Sequence, residues 1–209
     1  MSRSAVFMTL ILTAAPCGTA TGQRSRALPH DIVNGLAAAA TALAGGASAD
    51  GVRRGLLEFR GLPHRVALVG EAGGVRFYDD SKATTPHAAA TAIAGFESVV
   101  LIAGGRNKGL DLGVLAGSAA SIRAVVAIGE AAPDVAAAFD GIRPVTRAGS
   151  MDEAVRAAVD VARPGDAVLL SPGCASFDWY GSYGERGDDF ARAVREATAA
   201  PDVAGRGPT

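Results

Sequence analysis

"SVVLIAGG", residues 98–105, is an unbroken apolar run that stops on two glycines. A strand with one wet face alternates apolar and polar residues, and this one does not. It reads as a strand buried on both faces, as in a parallel sheet covered by helices on each side. The same kind of run recurs as "IRAVVAIG" (122–129) and "DAVLLSP" (166–172), with a shorter one, "RPVTRA", at 143–148. Helix-like stretches separate them: "DLGVLAGSAA" (111–120), "AAPDVAAAF" (131–139) and "SMDEAVRAAVDVA" (150–162). The last opens on Ser150 with Glu153 three residues on, the spacing of a capping box. Strand alternating with helix predicts an α/β fold, a doubly wound, mostly parallel sheet. Upstream, "VALVG" (66–70) and "VRFYD" (75–79) flank "EAGG", which predicts a hairpin or two short strands. Downstream, a helix is expected from about Asp188 to Ala197, with 198–209 as a Pro/Gly tail that frays.

Towards the amino terminus the pattern changes at "GLPHR" (61–65), where Gly and Pro mark a linker. Before it, "DIVNGLAAAATAL" (31–43) has a helical period and ends at Gly45 and Gly46. "SADGVRRGLLEF" (48–59) predicts a second helix with Ser48 or Asp50 as its N-cap. Residues 5–16, "AVFMTLILTAAP", form an apolar run behind Arg3. That run is too short to span a bilayer and has a signal-peptide profile, a minor reading beside a cytoplasmic chain.

Composition excludes several classes. The chain has 209 residues, 49% hydrophobic and 20% charged, and a formal net charge of -1. No basic stripe is present, which argues against a nucleic-acid partner. Cys17 and Cys174, with His30, His64 and His87, are scattered without metal-ligand spacing, so no metal site is expected from them.

In sheets of this kind ligands bind beyond the carboxyl ends of the strands. After "VRFY" come Asp79, Asp80, Ser81, Lys82 and Thr84. After "VVLIA" come Gly104, Gly105, Arg106, Asn107 and Lys108. After "AVLL" come Ser171, Pro172, Gly173, Cys174, Ala175 and Ser176. Lys82 and Lys108 are the only lysines among 20 basic residues, and both fall at strand ends. Lysine is a compact charge with movable donors, suited to a carboxylate or a phosphoryl group. "GGRNKG" (104–109) is neither a Walker A loop nor a dinucleotide fingerprint. Taken alone, the loop with Lys82 is also compatible with a solvated turn and an internal ion pair, and "GGRNKG" with a tight strand-to-helix turn that needs its glycines. In "SPGCASFDWYGSYGERGDDF" (171–190), Asp178 is expected as a helix cap, and Trp179, Tyr180 and Tyr183 as core or wall. Cys174 has no nearby histidine to activate it as a nucleophile. Together the three loops point to a module that holds an anionic small molecule.

Three segments carry a resemblance: "DDSKATTPHAAATAIAGF" (79–96), "VVLIAGGRNKGLDL" (99–112) and "VLLSPGCASFDWYGSYGERGDDFARAV" (168–194). They resemble the Rossmann-like C-terminal domain of the Mur ligases, and the "DSKAT" wording is similar to the D-glutamate-adding branch of peptidoglycan biosynthesis. "GLPHR" is similar to the junction entering that domain, and "PHDIVNGLAAAATAL" to the last helix of the preceding ATPase domain. The resemblance implies four parts: an unassigned segment at 1–27, a helical remnant of the central domain at 28–60, the C-terminal domain at 61–197 and a tail at 198–209. It implies ATP-dependent, ADP-forming amide synthesis through an acyl phosphate. Thr84, Lys108, Ser176 and the backbone near Phe177 and Tyr183 would hold D-glutamate. Lys82 would stand beside the reacting acyl phosphate, as the catalytic residue. Arg65 would meet ATP phosphates, Asp80 the ribose and Asn34 the nucleotide.

The departures are also informative. The family pattern His-Asn-x-x-Asn reads His30, Asp31, Ile32, Val33, Asn34 here, which is expected to weaken ATP binding. Thr85 stands where Asn is usual, and Asn107 and "DWY" (178–180) are milder variants. The P-loop, magnesium carboxylates and UDP-sugar domain that the family uses are not found in these 209 residues. ATP and Mg2+ are therefore implied with most of their site missing. The chain is expected to be inactive alone or to need a separate ATPase chain. The alternative is a free-standing, non-catalytic module that binds D-glutamate, nucleotide or a partner ligase.

Overall fold

The computed structural model describes residues 29–59 and 61–199. The apolar segment at 1–27, with Cys17, and the residues from 200 onward lie outside the described residues, as do the side chains of residues 29–31, including His30 and Asp31. The chain divides into two compact units after Gly61.

The first unit is a helical hairpin. Helix α1 (Pro29–Ala44) and α2 (Ala49–Glu58) are joined by a short turn. Of the two candidate caps, Ser48 takes the role: its side chain accepts from Gly51 N at 3.1 Å.

The second unit begins at Leu62. Strands β1 (Ala67–Ala72) and β2 (Val75–Asp79) form the expected hairpin, antiparallel, with Ala72 opposite Val75. Then come α3 (Pro86–Ile93), β3 (Val99–Gly104), the one-turn α4 (Gly113–Ala116) and a 3-10 turn at Ala119–Ser121. They are followed by β4 (Ile122–Ile128), α5 (Ala132–Ala138), β5 (Val145–Ala148), α6 (Met151–Val161), β6 (Ala167–Gly173) and α7 (Tyr183–Ala199). The sheet order is β1-β2-β6-β3-β4-β5, parallel except for β1. The fold is the α/β, mostly parallel architecture expected from the apolar runs.

Strand β3 lies in the sheet centre between β6 and β4, and all six of its residues are buried. That placement is why "VVLIAG" tolerates no polar residue. On one face Val100, Ile102, Val126, Ile128, Val168 and Leu170 form a core with Met151, Ala154, Val155 and Ala158 of α6 and Phe190, Ala193 and Val194 of α7. The intervening residues Val99, Leu101, Val125 and Leu169 are equally buried and point to the opposite face by strand alternation.

Four points differ from the sequence reading. The stretch 111–120 yields only one α-turn and a 3-10 turn, because Gly113 and Gly117 favour neither a long helix nor its interior. The final helix starts at Tyr183, five residues earlier than expected. Helix α3 went unread, although Thr85 caps it through Ala88 N at 3.4 Å and Pro86 opens it. Thr85 is therefore a conservative departure from asparagine, since both residues cap helices well. The capping box of α6 is also modified: Ser150 Oγ accepts from Glu153 N at 3.2 Å, but Glu153 reaches back to Gly149 N at 2.8 Å. Among the described residues no helix is long and apolar enough to cross a membrane.

Candidate functional site

Because β2, β6 and β3 are parallel neighbours, their carboxyl ends bring the three polar loops to one edge of the sheet. Backbone hydrogen bonds join them. Asp80 N donates to Leu170 O at 2.8 Å, and Gly173 N to Ala83 O at 2.9 Å, tying the first loop to the third. Arg106 and Ala175 exchange N–H···O bonds of 2.9 and 3.1 Å, tying the second to the third. Gly104 and Gly105 have φ of 124° and 126°, in the region that favours glycine. A Cβ on Gly104 would strike Ile128 O, and one on Gly105 would strike Ala175 O. The glycine floor is what allows the loops to touch.

Arg186 is the central fastener. It rises from the first turn of α7 and is 1% exposed. Its guanidinium donates to Ser81 Oγ and Ser81 O at 2.9 Å, and to Cys174 O and Ala175 O at 3.1 Å. Burial pushes its pKa down to about 10, which still leaves it charged near neutrality. Ser81 Oγ in turn donates to Tyr183 O at 2.7 Å. One side chain thus holds the lysine-bearing loop, the β6 loop and the start of α7.

The two aspartates at the end of β2, Asp79 and Asp80, are both buried and both occupied. Asp79 meets His64 Nδ1 at 2.7 Å and accepts from Ser81 N at 2.9 Å. Gly187 of α7 packs against this pair, and a Cβ there would collide with His64 Nδ1 and Asp79 Oδ2. Asp80 accepts from Ser171 Oγ at 2.7 Å. Burial raises the Asp80 carboxyl to about 7, against the opposing hydrogen bond from Ser171. Neither carboxylate is left to neutralise Lys82, and neither lysine makes an ion pair among the described residues. That outcome disposes of the internal ion pair as an explanation for the loop with Lys82.

The remaining candidates fall as follows. Lys108 is exposed on the β3 loop, Lys82 and Thr84 are half-buried, and Ser176 is 2% exposed. Phe177 and Tyr183 are 58% and 39% exposed, so they form rim rather than core. Tyr180 instead packs on the core and donates to Asp189 Oδ2 at 2.7 Å. Arg65 is exposed, between His64 and Val66, whose φ values of 59° and 48° are unusual for side chains of their shape. Asn34 is exposed on α1 of the helical unit. Asp178 is not a helix cap. Its carboxylate accepts from Glu130 N at 3.0 Å, while Ser182 Oγ accepts from Glu185 N at 3.1 Å at the start of α7. Cys174 is 1% exposed, and burial raises its thiol to about 11, consistent with an inert side chain.

Reading the sequence missed the His64–Asp79 pair and the reach of Arg186. The partners stand 15 and 105 positions apart, so no local spacing announces them. A groove of about 330 Å3 lies at the other end of the sheet, lined by Ser98, Arg123, Arg143 and Pro144. Its arginines are already committed, Arg123 to Asp166 at 2.6 Å and Arg143 to the carbonyls of Ala119 and Ile122 at 3.1 and 2.5 Å. At the polar strand ends, by contrast, Lys82 and Lys108 make no ion pair among the described residues.

Comparison with known proteins agrees with this geometry. The family "Mur ligase, glutamate ligase domain" matches residues 64–174. A UDP-N-acetylmuramoylalanine--D-glutamate ligase from Frankia casuarinae is 50% identical over 171 residues, covering 80% of this chain and 36% of that protein. Its counterpart from Desulfosudis oleivorans is 47% identical over 169 residues, covering 80% and 37%. The chain thus spans little more than a third of the length of these relatives. Among solved structures, a UDP-N-acetylmuramate-alanine ligase from Thermotoga maritima aligns with a TM-score of 0.60 at 16% identity, over 81% of this chain and 39% of the other. A folylpolyglutamate synthase from Mycobacterium tuberculosis aligns with a TM-score of 0.58 at 18% identity, over 87% and 41%. These two speak to the fold alone. With the family's domain matched from His64 through the first two strand-end loops to Cys174, and relatives of this kind about half identical to it, this chain belongs to the Mur ligase family.

Proposed function

We propose that this chain is the amino-acid-adding domain of a D-glutamate ligase, working on a UDP-sugar-linked carboxylate in the cytoplasm. One observation carries the reading. Both lysines stand at the joined strand ends without a carboxylate partner, while the aspartates beside Lys82 are bound elsewhere. Two free ammonium groups over a glycine floor suit a dicarboxylate amino acid and a phosphorylated carboxyl group.

In this reading Lys108, Thr84 and Ser176, with the backbone near Phe177 and Tyr183, orient D-glutamate. Lys82 stabilises negative charge on the acyl group as the amine attacks. Arg65, exposed and outside any ion pair among the described residues, would meet nucleotide phosphates. Asp80, with its carboxyl on Ser171, would meet a ribose hydroxyl only by sharing that bond. ATP, when bound, supplies the phosphoryl group that activates the carboxylate. The magnesium ion fits less well: among the described residues no group of three or more His, Cys, Asp or Glu could hold a metal.

The second reading is a module that binds D-glutamate without turnover through the same two lysines. Calorimetric titration with D-glutamate, with L-glutamate as control, tests the site common to both. Lys108→Ala is expected to weaken binding about tenfold to a hundredfold, the worth of a charge-assisted contact. Equal affinity for both enantiomers, or an unaffected variant, would reject the site. Phosphate release from ATP in the presence of D-glutamate and the UDP-sugar precursor separates the two readings.

A further inference from the structure

We propose that the aromatic ring of Tyr183 is a positioning residue for Lys82, holding its ammonium by the ring face so that its charge stays available to an anion. The proposal rests on the reading of Lys82 as the group beside the reacting acyl phosphate.

Lys82 follows two aspartates, and the simplest outcome for such a loop would be a local ion pair. The structure prevents it: Asp79 is turned to His64 and Ser81 N, and Asp80 to Ser171. The ammonium lies instead 5.6 Å from the centroid of the Tyr183 ring, within the range of a cation–π contact. The ring carries no formal charge. It restricts the flexible lysine stem without neutralising its head, whereas a carboxylate would do both.

The backbone of Tyr183 and its ring are each tied to the lysine loop or its neighbours. Its own carbonyl accepts from Ser81 Oγ at 2.7 Å, so the backbone of Tyr183 is anchored to the residue next to Lys82. Arg186, three positions along the same helix, donates to that same Ser81 hydroxyl at 2.9 Å. The His64 ring meets Tyr183 edge-on, with centroids 6.0 Å apart and planes at 76°. His64 O also accepts from Lys82 N at 3.1 Å, so the lysine backbone and the ring share one support. The phenol hydroxyl makes no hydrogen bond among the described residues, which leaves the ring face as the working part. At 39% exposure the ring remains open to an approaching ligand.

The chain's two lysines make a direct test possible. With lysine labelled by 13C and 15N, the spectrum holds two lysine side-chain signals, and Lys108→Arg assigns them. The Lys82 Hε signals are expected upfield of those of Lys108 through the ring current of Tyr183. Tyr183→Phe should keep that shift, and Tyr183→Leu should remove it while the amide fingerprint stays folded. Titration with inorganic phosphate should move the Lys82 signal, with apparent affinity about three- to tenfold weaker in Tyr183→Leu and unchanged in Tyr183→Phe. An unshifted Lys82 in the native chain, or a Phe variant as damaged as Leu, would overturn the proposal. D-glutamate added to the native chain should move Lys108. If it does not, the D-glutamate reading fails while the ring contact is still judged on its own signals.

Discussion

Replacing Arg186 with methionine tests the fastening of the site most severely. The guanidinium is 1% exposed and donates four hydrogen bonds, three of them to main-chain carbonyls of Ser81, Cys174 and Ala175. Methionine fills much of the stem volume but donates nothing. Ala175 O keeps its bond from Arg106 N, so the carbonyls of Ser81 and Cys174 are the two left without a partner, each costing about 1–3 kcal/mol in a dry environment. Against this, the variant no longer buries a charge, and removing a buried charge together with its partners is often close to neutral. Here the partners are backbone atoms that the β6 and β2 loops keep in place, so the release is incomplete. A net loss of about 2–4 kcal/mol is expected, the cost of two buried carbonyls offset in part by no longer burying a charge. With a urea slope of about 2 kcal/mol/M, the midpoint should fall by about 1–2 M. Arg186→Lys keeps the charge but lacks the planar fork and should lie between the two. Both variants should also lose D-glutamate binding under conditions where they remain folded. A midpoint shift below about 0.5 M for methionine would refute the reasoning, since it would mean that the loops hold together without this residue.

Three further outcomes follow from the same geometry. Asp80, raised to about 7 chiefly by burial, binds a proton more tightly folded than unfolded. Its contribution is fully present below about pH 4 and is lost as pH rises through 7. Urea midpoints should therefore fall between pH 5 and pH 8 in the native chain and fall less in Asp80→Asn. Gly105→Ala places a methyl group against Ala175 O at a φ of 126° and should destabilise by about 2–4 kcal/mol, read by thermal unfolding. Leu101→Ala, at a fully buried position of the central strand, should cost about 3 kcal/mol by denaturant titration and leave the lysine signals in place.

How much of this was legible in the sequence depended on the range of the signal. Strands β3, β4 and β6 were clear because burial on both faces writes itself as an unbroken apolar run. The hairpin was clear because glycines 73 and 74 separate two short β-rich runs. Helix α3 was hidden because its cap and first turn, Thr85 and Pro86, sit inside the polar loop that draws attention for its chemistry. The start of α7 was obscured by Gly184 and Gly187, poor helix formers; Gly187 is there because His64 and Asp79 leave no room for a side chain. The three polar loops could be placed at strand ends from order alone. What joins them could not be, since the Arg186–Ser81, Ser171–Asp80 and Asp178–Glu130 contacts span 105, 91 and 48 positions. The same limit explains the mistaken role for Asp178. Its partner lies in the loop after β4, and its local sequence resembles a cap.

The central claim is that the two lysines flank a site for D-glutamate, and competitive acetylation tests it most directly. The folded chain is treated with a limiting amine-reactive acetyl reagent, with D-glutamate, with L-glutamate or without either, and the occupancy of each lysine is read by mass spectrometry. D-glutamate is expected to protect Lys108 strongly and Lys82 less, with L-glutamate giving little protection. Equal modification of Lys108 under all three conditions, in a chain shown to be folded, would contradict the claim.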